Sequence, residues 1–220
     1  MLVEIVIKKY EFRFFLNDKH DVKLLWLKTK LKKMKPNIFF TADHHFGHEN
    51  IIKFSERPFE SLEHMNEELI KRWNEKIGEN DIVYHLGDVS LGKPDVTKDI
   101  LDRLNGKIHL IKGNHEYSAL RVSDRFEWIK DYHELSIEDE EATHGKQKII
   151  LFHYAMRTWN ASHHGVWQLY GHSHGTLSDD ENALSLDVGV DCHNFYPVSY
   201  EEVKELMKKK KWTPPFAPRN

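Results

Sequence analysis

Residues 37–45 read NIFFTADHH, a short apolar run that ends in one aspartate and two histidines. Runs of this kind, brief and rich in β-branched or aromatic residues, are typical of buried strands. Four later runs of the same character also end in polar residues. The five polar groups, in chain order, are Asp43-His44-His45, Gly87-Asp88, Gly113-Asn114-His115-Glu116, His153 and Gly171-His172-Ser173-His174. Because open α/β sheets bind ligands at the carboxyl ends of their strands, we expect the five groups to converge on one rim.

Amphipathic helices are predicted between the first three of these strands. Residues 62–77 carry apolar side chains at three- and four-residue steps, with Ser61 placed to cap the helix and Gly78 to end it. A second helix is predicted between Pro94 and Gly106, on the same spacing. The alternation of strand and helix through about residue 112 predicts βαβ units and a layered sheet.

The second half of the chain has a different pattern. Residues 132–152 predict a hairpin around an acidic turn, and residues 183–190 alternate as a further strand does. Ser199 and Glu202 form a capping-box pattern that opens a helix ending in the lysines at 208–211, where positive charge suits the helix dipole.

Length and composition favour one principal domain, at residues 37–212. The chain has 220 residues, of which 40% are hydrophobic, enough for one sizeable core. Residues 1–36 carry ten Lys or Arg against four Asp or Glu and form a basic N-terminal extension, whereas residues 213–220 form a Pro-rich tail. We interpret the extension as a solvated accessory segment, with a nucleic-acid or partner contact as the alternative.

The sequence also bears on the compartment. It shows no apolar stretch typical of a signal peptide or a membrane span, so we expect no membrane partner. Cys192 is the single cysteine, which excludes an intramolecular disulfide and favours a reducing cytoplasm. No motif surrounds Cys192, and we expect a small buried or half-buried side chain there.

The five polar groups together offer carboxylate and amide oxygens and imidazole nitrogens. This mixture suits first-row divalent metals better than calcium or thiolate-bound zinc, and the number of donors suggests two sites. An aspartate or asparagine after a strand often only caps the next helix, but that explanation does not account for all five groups. We expect His44, His85 and His109 to be structural, because they lie within apolar runs or beside better-placed donors.

In this order, Asp43-x-His45, Gly87-Asp88, Gly113-Asn114-His115-Glu116, His153 and Gly171-His172-x-His174 resemble the calcineurin-like metallophosphoesterase superfamily. The resemblance covers about residues 37–212. Residues 43–52, 57–59 and 152–154 further resemble a small group of compact bacterial and phage phosphoesterases. The resemblance implies a four-layer α/β/β/α sandwich with mixed sheets and a dinuclear metal centre.

The resemblance also implies roles for individual residues. The ligands of a first metal would be Asp43, His45, Asp88 and His174. The ligands of a second metal would be Asp88, Asn114, His153 and His172, with the Asp88 carboxylate bridging both. His115 would face the phosphate and either protonate the leaving oxygen or stabilise developing charge. Polar residues near these groups are candidates for phosphate contacts, namely His48, Arg157 and His164.

Electrostatics supports a bridging carboxylate, because two cations about 3.5 to 4 Å apart repel strongly. Asp88 and a bridging hydroxide would supply the negative charge, and the hydroxide would attack the phosphate in line. Manganese is the metal we expect, with Fe, Ni and Zn as alternatives.

The expected activity is hydrolysis of phosphomonoesters or, preferably, of phosphodiesters. The substrate classes are a nucleotide, a cyclic nucleotide and a nucleic-acid end. A nuclease needs aromatic stacking platforms, for which Trp159, Trp167 and Trp212 are candidates. The protein-phosphatase branch has an Asp-Arg pair shortly after its Gly-Asp, and residues 87–92 lack it, so protein dephosphorylation is not expected. The alternative function is a metal-binding scaffold that has lost catalysis. Such a loss usually leaves a ligand position vacant or His115 replaced, and the sequence shows neither.

Overall fold

The described part of the chain runs from Lys35 to Thr213 in a computed structural model. The basic extension 1–36 and the Pro-rich tail 213–220 therefore lie outside the described residues, except at their inner ends. Both segments, and the domain boundaries drawn from them, stay predictions.

Short strands and helices alternate along this part of the chain. The strands are β1 (Ile38–Thr41), β2 (Ile82–His85), β3 (Lys107–Ile111), β4 (Trp128–Lys130), β5 (Tyr132–Glu138), β6 (Lys146–Phe152), β7 (Trp167–Tyr170), β8 (Ser185–Asp187) and β9 (Val198–Ser199). The helices are α1 (Glu49–Phe54), α2 (Leu62–Lys76), α3 (Pro94–Asp102), α4 (Tyr117–Arg121) and α5 (Tyr200–Lys208).

The strands form two mixed sheets. The first has five strands in the order β4-β3-β2-β1-β9, in which β1 to β4 are parallel and β9 is antiparallel to β1. The second has four strands in the order β5-β6-β7-β8, with an antiparallel β5–β6 hairpin followed by two parallel pairings. Both predicted patterns, the βαβ units and the hairpin, are therefore present.

An apolar core fills the space between the two sheets, and a second core lies between the first sheet and its helices. Along β1, Phe40 belongs to the inter-sheet core together with Leu169 of β7, whereas Phe39 belongs to the helix-side core together with Leu69 and Trp73 of α2. Each side chain of this kind contributes about 1.5–3 kcal/mol when it is fully buried. Successive residues of a strand point to opposite faces, so one apolar run serves both cores.

The helices begin where the sequence predicts. The Ser61 hydroxyl accepts a hydrogen bond from the backbone of His64, and Ser199 and Glu202 form the complete capping box of α5. In α3 the apolar residue Val96 lies on the spacing that predicts the helix, yet it is exposed, whereas Thr97 is buried and shares a hydrogen bond with Ser90.

Helix α5 adds Val203 and Met207 to the inter-sheet core. Two mixed sheets packed face to face, with helices against them, confirm the predicted α/β sandwich with mixed sheets. The two sheets pack face to face. Between them they contain all five strands whose ends carry the polar groups, namely β1, β2, β3, β6 and β7.

Candidate metal centre

Backbone hydrogen bonds bring the ends of these strands together. The Asp43 amide donates to the Gly87 carbonyl at 3.0 Å, which joins the ends of β1 and β2. The two sheets are joined in turn, because the backbone N–H of His172 donates to Asp43 Oδ2 at 2.8 Å. The convergence expected from the sequence is therefore observed.

Two clusters of potential metal donors lie at this rim. Within each cluster the donor atoms are all within 4.8 Å of one another. The first cluster is Asp43, His45 and His174, and the second is Asp88, His153 and His172. We call them the first and the second donor cluster.

The Asp88 carboxylate lies between the two clusters. One of its oxygens is 3.5 Å from His45 Nε2 of the first cluster, and the other is 3.7 Å from His153 Nε2 of the second. Its side chain is buried, so both oxygens face the clusters rather than solvent. A single carboxylate thus lies between the two donor clusters.

Asn114 extends the second donor cluster. Its side-chain oxygen is 3.0 Å from His153 Nε2. The other nitrogen of that ring, Nδ1, lies 2.6 Å from the Leu86 carbonyl, a contact that orients the imidazole and leaves Nε2 toward the rim. A histidine held in this way by a backbone carbonyl is typical of metal ligands.

Burial shifts the pKa values of two donors of the first cluster: it keeps the His45 imidazole neutral, as metal binding requires, and it makes the Asp43 charge costly while no cation balances it. Burial, and then the neighbouring His174, lowers the pKa of His45 to about 2, so its imidazole is neutral. Burial, followed by the nearby Asp187 and Asp88 carboxylates, raises the pKa of Asp43 well above its usual value. Both ring nitrogens of His45 and Oδ1 of Asp43 are buried without a hydrogen-bond partner. A cation between them would satisfy these atoms and offset the repulsion among the carboxylates.

The backbone at the rim is strained in a way that the sequence does not reveal. Left-handed φ values, which are uncommon for residues other than glycine, occur at Asp43 (58°), His45 (52°), Asp88 (57°), His172 (69°) and His174 (47°). Such conformations persist at functional sites because the surrounding structure holds them.

Gly87 shows why a glycine precedes Asp88. Its φ is +99°, and a Cβ there would lie 2.5 Å from His153 Nδ1 and 2.7 Å from the Cα of Gly113. The loops after β2, β3 and β6 therefore approach closely only because this position has no side chain.

A buried arginine supports the first donor cluster, and sequence reasoning gave it no role. Arg57 is 4% exposed and pairs with Asp191 through two hydrogen bonds of 2.8 Å. Asp191 Oδ2 lies 2.7 Å from His174 Nδ1, which leaves the other ring nitrogen of His174 for a metal. Arg57 also donates to the carbonyls of Asp43 and His44, at 2.6 and 2.8 Å. Nothing in the sequence links positions 57, 174 and 191.

Glu116 supports the loop after β3. It is buried, and its carboxylate accepts hydrogen bonds from the backbone amides of Asp88 and Gly113. Burial, and then the Asp88 charge, raises its pKa to about 7.

The histidines expected to be structural point into the interior. His44 and His85 form a buried pair with 2.9 Å between Nδ1 and Nε2, and the His44 ring also stacks on Phe46. His109 packs against Tyr84 and Trp128.

His115 and His48 lie beside the first donor cluster. The ring centroids of His115 and His48 are 5.8 and 5.5 Å from that of His45. The backbone amide of His115 donates to Asp88 Oδ1 at 2.9 Å, while its side chain is exposed at the rim. Among the described residues, no carboxylate contacts the His115 imidazole.

Arg157 and His164 are not brought to the rim by any contact among residues 35–213. Both are exposed, and the His164 ring packs on that of His163 at 4.0 Å. Their role in phosphate binding stays a prediction.

Two expectations about side-chain exposure are wrong. Trp167 is buried in the inter-sheet core and offers no stacking surface, because its position on β7 faces the other sheet. Cys192 is exposed, since it lies in a 3₁₀ turn outside both cores. Although the residue as a whole is exposed, partial burial of its thiol, and then the nearby Asp187 carboxylate, raises the pKa of that thiol to about 12.

Comparison with known proteins agrees with this geometry. Residues 59–192 match the model of the calcineurin-like phosphoesterase superfamily domain. Over 181 residues, which are 79% of this chain and 93% of the relative, the sequence is 33% identical to an uncharacterized protein from Methanocaldococcus jannaschii. It is also 27% identical to the gene 66 protein of Mycobacterium phage D29, over 78% of this chain and 96% of that protein.

A solved structure shares the fold. The crystal structure of a protein of unknown function from Aquifex aeolicus superimposes with a TM-score of 0.61 at 22% identity, covering 78% of this chain and 100% of that chain. Within residues 35–213, no helix has the length and apolar character needed to cross a membrane.

Proposed function

Because this chain belongs to the calcineurin-like phosphoesterase superfamily, we propose that it is a hydrolase of phosphodiesters that works with two divalent metal ions. The observation that carries the proposal is the position of Asp88, whose two carboxylate oxygens face one histidine from each donor cluster. A site for one ion has no need of this arrangement.

The residues present fit two ions. Asp43, His45 and His174 would hold the first, and His153, His172 and Asn114 the second, with Asp88 shared. The buried, unpartnered atoms of Asp43 and His45 support this assignment, because uncompensated polar atoms in the interior are costly. Neutral imidazoles and carboxylates favour Mn, Fe, Ni or Zn, and Mn is our first choice.

The chemistry divides between the ions and the chain. When bound, the ions would lower the pKa of a coordinated water molecule to near neutrality, and they would neutralise charge on the phosphate oxygens. His115, exposed beside the first donor cluster, would deliver a proton to the leaving oxygen. His48 would contact a phosphate oxygen, since its ring lies next to those of His45 and Phe54 at the same edge.

Diesters are the preferred substrate class. His115 lacks a carboxylate partner among the described residues, and the Asp-Arg pair of protein phosphatases is missing after Asp88. Both observations argue against the dephosphorylation of proteins, a reaction whose substrates are phosphomonoesters. The substrates we propose are nucleotide esters, including cyclic nucleotides and nucleic-acid ends. Contact of the basic segment 1–36 with nucleic acid and a cytoplasmic location both stay predictions.

A hydrolysis screen tests the proposal. The metal-stripped protein would be reconstituted with Mn and assayed against matched mono-, di- and cyclic phosphate esters. We expect turnover of diesters that disappears on chelation and returns with Mn. Full turnover by protein shown to be metal-free would contradict the mechanism. Binding of two ions without turnover of any ester would support the catalytically silent scaffold instead.

A further inference from the structure

An open groove of about 450 Å³ lies beside the second donor cluster. We call it the aromatic groove and define it by Asn114, Tyr117, Leu120, Phe152 and Tyr154. Its size is in the range of pockets that hold small organic ligands. Neither the ligand set nor His115 accounts for it.

The aromatic groove is continuous with the candidate metal centre. Asn114 belongs to both, since its side-chain oxygen contacts His153 of the second donor cluster. The Tyr154 ring packs edge-on against the rings of His172 and His153, with centroids 4.7 and 4.9 Å apart. A phosphate held at the second donor cluster would therefore present one of its organic groups to this groove.

Exposed apolar side chains form the walls of the groove. Tyr117 is 69% exposed, Leu120 45% and Tyr154 39%, although tyrosine rings usually bury most of their apolar surface. The Arg121 guanidinium lies 5.2 Å from the centroid of the Tyr117 ring, which holds that ring from one side. Two exposed aromatic rings are thus available to a planar ligand.

Polar groups at the groove restrict the ligand further. Lys112 and Asp131 form an ion pair of 2.6 Å in its lining, and the Asn114 amide is exposed there. A planar ring with hydrogen-bonding edges matches aromatic faces flanked by a donor and an acceptor, whereas an alkyl group uses neither feature. Nucleobases have this combination, and they stack on aromatic side chains irrespective of sequence.

We propose that the aromatic groove binds the base of a single nucleoside phosphate ester, with Tyr117 and Tyr154 as stacking residues. The inference rests on the proposed function and specifies its substrate class. Tyr117 and Tyr154 would then determine specificity, while the donor clusters would bind any phosphate ester.

Equilibrium dialysis of the full-length, Mn-loaded protein tests this assignment. The probes are the phosphonate analogues of AMP and of ribose 5-phosphate, in which a methylene replaces the ester oxygen so that neither is hydrolysed. We expect wild-type protein to bind the adenosine analogue at least about fivefold more tightly, which corresponds to one stack of about 1 kcal/mol. Tyr117→Ala should remove most of this preference and Tyr117→Phe should keep it, with the affinity for the ribose analogue unchanged in both.

Two further variants locate the effect. Tyr154→Ala should also reduce the preference, and Phe54→Ala, which removes an exposed ring beside His48, should not. Equal affinities for the two analogues in wild-type protein would overturn the proposal. A preference that survives both alanine variants in the groove would overturn it as well, and its loss in Phe54→Ala would place the base beside His48 instead. Failure of the ester screen would contradict hydrolysis without changing this comparison, since dialysis measures binding without turnover.

Discussion

Single residues decide how the rim of this molecule is charged. Asp88 faces both donor clusters. Asp191 contacts His174, and the buried Arg57 neutralises the charge of the Asp191 carboxylate. Carboxylate-to-histidine contacts of this kind orient a ligand and raise its basicity. Arg57 therefore influences the first donor cluster indirectly, through Asp191 and through the backbone carbonyls of Asp43 and His44.

Asp191→Asn should weaken metal binding at the first donor cluster. The amide keeps the shape of the side chain but loses the charge that fixes the His174 ring, and such changes cost about 10- to 100-fold in affinity. Competition with a chromophoric chelator measures the two affinities separately.

A matched control for this change is Asp139→Asn. Asp139 is also buried and also pairs with a cation, Lys204, at 2.8 Å, but it lies in the β5–β6 connection. The control should lower thermal stability and leave both metal affinities unchanged. Equal losses of metal affinity in the two variants would remove Asp191 from its positioning role.

His115→Ala separates proton transfer from metal binding. The variant should keep both ions and lose on the order of 10² to 10⁴ in rate on esters with poor leaving groups. The loss should be much smaller for p-nitrophenyl esters, because their leaving oxygen needs little protonation. Steady-state kinetics on the two ester types gives the ratio, and equal losses would assign His115 to charge stabilisation instead.

The buried end of strand β2 makes the stability of the folded protein depend on pH. β2 ends in His85, which is buried against His44 and so neutral: burial, and then the nearby His153, lowers the pKa of His85 to about 3. The same side chain in the unfolded chain has a pKa of about 6.5. Below that pH the unfolded state takes up a proton that the folded state does not bind. The folded state should therefore lose stability as the pH falls from about 6.5 toward 3.

His85→Asn should flatten this pH dependence. The free energy of unfolding of the metal-free protein should fall less steeply with acid, by up to about 1.4 kcal/mol per pH unit for the one proton removed. Urea titrations between pH 7 and pH 4 measure the slope. His144→Asn is the control, since that ring is exposed in the folded protein. Parallel slopes for wild-type protein and His85→Asn would contradict the explanation.

In the molecule as a whole, the features predicted from the sequence are those that a short stretch of chain determines, namely the strands and the polar residues at their ends. Apolar runs that end in Asp43, Asp88 and His153 identified the strands and their functional ends, because strand periodicity is visible in a single stretch. The Arg57–Asp191 pair was missed because its residues, 134 positions apart, meet only after the loops have packed. Exposure was missed for the same reason: nothing local distinguishes the buried Trp167 from the exposed Tyr117.

The packing of two sheets also explains why the site needs the complete fold. Asp43 comes from the first sheet and His172 from the second, and their contact of 2.8 Å spans both. We propose that this junction holds two ions through one shared carboxylate.

Elemental analysis of wild-type protein and of Asp88→Asn, both refolded in Mn and passed through a desalting column, tests whether Asp88 is shared by two ions. Circular dichroism would show that both proteins keep their fold. We predict two Mn per wild-type chain and no more than one in Asp88→Asn, because an amide cannot neutralise two neighbouring cations. Two Mn per chain in a folded Asp88→Asn protein would show that Asp88 does not bridge the two ions.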